Sequence, residues 1–320
     1  MTDTLWVLGA GGLLGSAVVR ASASRGTDRE SLLVVPVPWD DPGAAAVVFS
    51  ETVARLNRQY LSSPGDTLRV AWCAGAGVVA SQQDQFAREA SVVEALVAAL
   101  GDLVPGLLAG LSVFVASSAG GVYAGSSPAP HDEFSATSAL VPYGFAKLRL
   151  EQQFREFAGA SGARVVLGRI ANLYGPGQNL GKGQGLISTL LWGALQGSPV
   201  KVYVDLDTVR DYLFVDDAAA MVMGSLDLAA LTDPGTVTIK VIASGNRVTV
   251  FNLLHVVRRI SSQRPLVVQG SSPLRTGQVR DLSLTSRVWP ELDELASTSL
   301  LVGVHRTYLD LQRARLEAHP

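Results

Sequence analysis

Tyr143 and Lys147 stand four residues apart in Pro142-Tyr143-Gly144-Phe145-Ala146-Lys147. They head a helix-like run from Leu148 to Ala158 whose apolar positions are Leu148, Leu150, Phe154 and Phe157. A helix brings residues at this spacing onto one face, so phenol and ammonium point into the same space. A free phenol titrates near ~10 and is a poor base at neutral pH, but a neighbouring ammonium favours the phenolate. Such a pair can take a proton from a hydroxyl and return one to a carbonyl. Alone, the spacing better suits an aromatic ring packed on a lysine stem. The flanking sequence decides between the two.

At the N-terminus, Thr4 to Leu8 reads as a short buried strand running into Gly9-Ala10-Gly11-Gly12-Leu13-Leu14-Gly15 and then a helix to Arg25. Strand, glycine turn and helix in this order make a phosphate cradle. Glycines let the backbone approach a pyrophosphate, and the helix N-terminus offers free N–H groups and positive dipole. The expected dinucleotide contacts are therefore Gly9, Gly12, Leu13, Leu14 and Gly15. The spacing is G-x-x-G-x-x-G, not the G-x-G-x-x-G of the general dinucleotide fingerprint. Leu32 to Val37 should be the second strand, where a carboxylate usually meets the adenosine ribose. Here Val35-Pro36-Val37-Pro38-Trp39 precedes Asp40 and Asp41, with no arginine for a 2′-phosphate. Asp40 at an unusual offset, or Trp39 against the adenine, are the alternatives, and NAD versus NADP stays open.

The remaining elements alternate. A helix is expected over 43–60, a strand over 68–74, a helix over 85–100 and a strand over 112–116. The small residues Ala74 and Gly75 follow one strand, and Ser117-Ser118-Ala119-Gly120-Gly121-Val122-Tyr123 follows the next. Such alternation predicts an α/β fold, a doubly wound parallel sheet with its site at the strand C-terminal ends. A dinucleotide-binding domain over residues 1–170 and a smaller α/β substrate-binding region over 171–320 are expected, interleaved and without a flexible linker.

The 320 residues carry 26 Lys+Arg against 28 Asp+Glu, a net charge of -2 that suggests no nucleic-acid surface. One cysteine, Cys73, excludes an internal disulfide, and four scattered histidines offer no metal spacing. Asp3 and the glycines after it argue against a signal peptide. The uncharged run from Leu103 to Pro130 is broken by Pro105, Gly106 and Gly110, so it reads as a loop feeding a buried strand, not a membrane span. A cytoplasmic protein is expected.

In order along the chain, Gly9-x-x-Gly12-x-x-Gly15, Ser117-Ser118 with Val122-Tyr123, Tyr143-x-x-x-Lys147, Arg169-x-x-Asn172-x-Tyr174-Gly175-Pro176-Gly177 and Arg210-Asp211-Tyr212 with Val215-Asp216-Asp217 resemble the extended short-chain dehydrogenase/reductase family. Within it they are most similar to the nucleotide-sugar epimerases and dehydratases. The resemblance implies Tyr143 as acid/base, with Lys147 on the nicotinamide ribose. It also implies a hydroxyl from the Ser117–Ala119 turn on the reacting sugar oxygen, and a dinucleotide lying along Ala74, Gly75 and Ser117. Asn172, Arg210 and Arg275 correspond to residues that hold the nucleotide diphosphate, and a homodimer is implied. Two departures stand out. Ala119 occupies the usual hydroxyl position, leaving Ser118 as the substitute. Gly120 and Gly121 stand where 4,6-dehydratases carry Asp-Glu, which argues against elimination of water. The resulting expectation is a bound-NAD epimerase of a nucleotide sugar, with an NADPH-dependent keto-sugar reductase or a catalytically silent nucleotide-binding protein as rivals.

Overall fold

The computed structural model describes residues 3–25, 30–75, 83–182, 185–261, 265–270 and 279–318. In chain order the first elements are β1 (Asp3–Leu8), α1 (Leu13–Ser24), β2 (Glu30–Leu33), α2 (Pro42–Ser62), β3 (Thr67–Trp72), α3 (Gln83–Gly101), α4 (Pro105–Ala109), β4 (Ser112–Ser118) and α5 (Ala119–Val122). Then come α6 (Pro142–Ser161), β5 (Arg164–Ile170), β6 (Asn172–Tyr174), α7 (Leu186–Gln196), β7 (Val200–Val202), β8 (Val209–Arg210) and β9 (Tyr212–Phe214). The last are α8 (Val215–Ala229), β10 (Val237–Ile242), β11 (Val248–Thr249), α9 (Val250–Ser261), β12 (Val267–Gln269), β13 (Asp281–Leu282) and α10 (Leu300–Ala318).

The main sheet is parallel, with strand order β10-β5-β4-β3-β1-β2. The order reverses between β1 and β3, which makes the carboxyl ends of those two strands a switch point. Their interiors are buried on both faces, as a helix-covered parallel sheet requires. Trp6, Leu8, Leu68, Val70, Trp72, Val113, Val115, Val165 and Leu167 all turn to one face, where they meet Phe49 and Leu56 of α2, Leu96 of α3 and Phe154 of α6. Trp6 is edge-on to Phe49 at 6.1 Å, the offset geometry that aromatic quadrupoles favour.

One expectation needs correcting. The second strand ends at Leu33 and not at Val37; Pro36 and Pro38 have no N–H for a ladder, so the chain leaves the sheet before them. Helix α6 starts at Pro142 and holds both Tyr143 and Lys147, as their spacing implied, because proline is well suited to a first helical position. Asp41 is the N-cap of α2, accepting from Ala44 N–H at 3.0 Å, which leaves exposed Asp40 as the carboxylate nearest the end of β2.

By contacts the chain divides into two compact units. One comprises Met1–Ser118, Val141–Arg169 and Ala219–Lys240, the other Ala119–Leu140, Ile170–Ala218 and Val241–Pro320. The second unit has its own core, in which Ile187, Leu190 and Leu191 of α7, Leu253 and Val257 of α9, and Val304 and Leu311 of α10 surround Tyr174, Val202 and Phe214. Short pairings complete it: β6 with β9, β7 with β12, and β8 between β11 and β13. No helix of the described residues is long and apolar enough to cross a membrane.

Candidate active site

The glycine turn after β1 is closed by a hydrogen bond from Gly12 N–H to the Gly9 carbonyl at 2.9 Å. Gly9 has φ +86, and a Cβ there would lie 2.6 Å from Ala74 N. A Cβ on Gly15 would sit 2.1 Å from the Gly9 carbonyl oxygen. Side chains are therefore excluded at both positions, and the turn lies directly against the residues that follow β3. Helix α1 has Gly12 as its N-cap, no capping side chain and no acidic residue in its first turn. Its leading amides, Leu13, Leu14 and Gly15 among them, keep their partial positive charge for an anion. This cradle fits a dinucleotide pyrophosphate.

Tyr143, half-buried in the first turn of α6, has Lys147 Nζ 5.8 Å from its ring centroid and Phe86 at 6.4 Å. Lys147 is buried and pairs with Glu89 of α3 at 3.3 Å. Burial works against the Lys147 ammonium, but Glu89, the Tyr143 oxygen and the hydrogen bond to Glu89 outweigh it, so its pKa is raised. A Cβ on Gly75 would lie 3.2 Å from Lys147 Nζ. Gly9, Ala74, Gly75, Lys147 and Tyr143 thus form one continuous rim, each in contact range of the next. Burial pushes the neighbouring Cys73 thiol up to about 12, which leaves no thiolate nucleophile at neutral pH.

The two serines at the end of β4 diverge as strand geometry requires. Ser117 is buried and its hydroxyl donates to Glu151 Oε1 at 2.7 Å. Ser118 is half-buried on the alternate side. Ala119 opens α5 as a buried residue without a hydroxyl. Tyr123 is fully buried within the second unit, with its hydroxyl on the Asp132 carbonyl at 2.6 Å.

Within the second unit, β6 and β9 bring the Asn172 and Arg210-Asp211-Tyr212 segments together. Asn172 donates to the Asp211 carbonyl through both its backbone N–H at 3.1 Å and its side-chain amide at 3.0 Å. Arg210 donates to the Val209 carbonyl at 2.7 Å. Burial lowers its pKa, opposed by Tyr212 and Asp281. Arg275 lies outside the described residues. Tyr174 and Asp217, conspicuous in the motifs, are structural: Tyr174 packs on Phe214 at 5.7 Å, and Asp217 caps Thr298 through its N–H and hydroxyl, each at 2.8 Å.

Asp211 is fully buried and accepts from Ser244 N–H at 2.9 Å. Burial pushes its carboxyl up to about 6, against the lowering pull of hydrogen bonds from Ser244, Gly245 and Asn246. Because the folded value exceeds the unfolded one, the folded protein holds this proton longer, and stability falls as pH rises through roughly 4 to 6. Asp211→Asn keeps an acceptor for Ser244 and removes the titration. Thermal melts across that window should show the variant gaining on wild type by on the order of 2–3 kcal/mol above pH ~6, with no gain below ~4. Parallel pH profiles for the two proteins would count against this account.

Two residues near the pair were not singled out in the sequence, Glu89 and Glu151. Glu151 carried a readable signal, since it continues the four-residue spacing of Tyr143 and Lys147. Glu89 carried none, because its partner is 58 residues away.

A family model described as "NAD dependent epimerase/dehydratase family" matches residues 5–239. The chain is 28% identical over 164 residues to a dTDP-4-dehydro-6-deoxyglucose reductase of Escherichia coli, covering 51% of this chain and 50% of that protein. It is 33% identical over 126 residues to a UDP-glucose 4-epimerase of Azospirillum brasilense, covering 35% and 36%. The chain thus spans half or less of these relatives' lengths. A solved structure of UDP-glucose 4-epimerase from Thermotoga maritima with UDP-glucose superposes with a TM-score of 0.77 at 22% identity, over 98% of this chain and 100% of that one. At that identity the likeness is one of fold.

Proposed function

The chain belongs to the NAD dependent epimerase/dehydratase family, and from that premise we propose that it epimerises a nucleotide-activated sugar, in the manner of a UDP-sugar 4-epimerase. The observation that carries this reading is the Tyr143–Lys147 face bordering the Gly9–Gly75 cradle. A nicotinamide dinucleotide with its pyrophosphate in that cradle would supply reversible hydride transfer. The chain's residues supply the rest. Tyr143 takes the proton of the sugar hydroxyl and returns it once the keto sugar has turned its other face. Lys147 keeps its ammonium beside the phenol and is placed for the ribose hydroxyls. Ser118 holds the reacting oxygen in place of the hydroxyl that Ala119 lacks. The first unit takes the dinucleotide, and the 171–320 region takes the nucleotide diphosphate through Asn172 and Arg210, with Arg275 as a second cation.

A second reading, a keto-sugar reductase, has one observation in its favour: the E. coli reductase is matched over about half of this chain. Incubation with UDP-glucose and NAD separates the readings. An epimerase forms the 4-epimer with no net reduction of the nicotinamide. A reductase leaves UDP-glucose untouched but oxidises NADPH when given a dTDP-4-keto sugar. A protein that binds both nucleotides and turns over neither is a silent binder.

The diphosphate role is testable on its own. Arg210→Ala should weaken UDP by roughly ten- to a hundredfold, the loss of one charge-assisted contact of about 1.5–3 kcal/mol. NAD affinity should stay as it was, and Arg210→Lys should recover only part of the loss, since lysine lacks the fork. Calorimetric titration with UDP and with NAD reads both. Unchanged UDP affinity in the alanine variant would reduce Arg210 to a structural residue.

A further inference from the structure

Tyr143, Lys147 and Glu151 continue one spacing of four along α6, so the three side chains share a face of the helix. The first two border the cradle, whereas the third turns into the protein and is 2% exposed. Its Oε1 accepts from Ser117 Oγ at 2.7 Å and from Arg169 Nε at 3.0 Å, and its Oε2 accepts from an Arg169 terminal nitrogen at 2.8 Å. Ser117 and Arg169 are themselves 5% and 4% exposed. One carboxylate therefore joins three elements: α6, the end of β4 and the end of β5.

Such a network is a poor source of stability, because desolvating the charges offsets most of their attraction and apolar residues of similar volume do as well. What it supplies is direction. A planar fork on a carboxylate is satisfied in a single register, and the remaining bond fixes the strand residue next to Ser118. We infer that Glu151, held by Arg169 and Ser117, is a positioning residue: it sets the register of the Tyr143–Lys147 face against the Ser117–Ser118 turn. Phenol and serine hydroxyl must address the same sugar oxygen, and an error of an ångström there is costly. The catalytic half of the inference rests on the function proposed above; the claim about register does not.

Two variants test it. Ser117→Ala cuts the tie to β4 and leaves the Glu151–Arg169 pair intact. The double variant Glu151→Met with Arg169→Met replaces the buried charges by apolar chains of similar length, and should melt close to wild type. Hydrogen exchange of the 143–150 amides is expected to be at least about tenfold faster in both variants while global stability is kept. With UDP-glucose as the probe, kcat should fall about tenfold or more with KM unchanged. A double variant with wild-type stability, exchange and kcat overturns the inference, since the network would then be packing alone. If wild type does not turn over UDP-glucose, the functional reading fails and exchange decides the register claim by itself. If the double variant does not fold, the same measurements on Ser117→Ala decide it, and wild-type exchange there refutes it.

Discussion

Tyr143→Phe is expected to lower kcat by ~10²–10⁴-fold, the usual contribution of a positioned acid–base group, while the melting temperature stays that of wild type. The substitution keeps the ring that meets Phe86 and the Lys147 stem and removes only the oxygen. The loss corresponds to about 3–5 kcal/mol of transition-state stabilisation. Affinity for UDP should be unaffected, because UDP lacks the sugar that the phenol is proposed to address. Steady-state kinetics with UDP-glucose beside calorimetry with UDP make the check. A variant retaining more than about a tenth of wild-type kcat would remove Tyr143 from the chemistry.

Gly15→Ala should be nearly as damaging, for a steric reason. Its new Cβ would lie 2.1 Å from the Gly9 carbonyl oxygen, 2.6 Å from the Gly9 carbonyl carbon and 2.9 Å from Ala10 Cα. All three are backbone atoms, so no rotamer relieves the clash and the turn itself must open. Overpacking of this kind costs roughly 1–3 kcal/mol of stability. A distorted turn also misaims the amides proposed to meet the pyrophosphate, so NAD affinity should fall at least about tenfold beyond any loss of folded protein. Gly11→Ala is the control, because a Cβ there meets nothing within 4 Å and should change neither property. Calorimetry with NAD on folded fractions reads the difference. Equal NAD affinity in the Gly15 and Gly11 variants would mean that this turn is not the phosphate cradle.

The parallel sheet and the glycine turn after its first strand were legible in the sequence because both depend on local pattern. Buried strands bounded by glycine turns, alternating with amphipathic helices, leave few arrangements other than a doubly wound sheet. The four-residue spacing of Tyr143 and Lys147 needed only helix geometry to put both on one face. The end of β2 was misplaced because apolar residues on either side of Pro36 suggested a longer run, and the missing ladder donors decide instead.

Tertiary structure alone settled where the buried polar groups find partners. Nothing local marks Ser117 as the inward serine; its hydroxyl is claimed by a carboxylate 34 residues on, which itself meets an arginine another 18 residues away. Lys147 likewise has its charge balanced by Glu89 on a different helix, and Asp211 is turned away from the adjacent Arg210 toward Ser244. Apolar burial is non-directional and leaves a periodic trace along the chain. A buried charge must instead be matched atom by atom by whatever the fold brings near, and that neighbourhood exists only once the strands and helices have assembled.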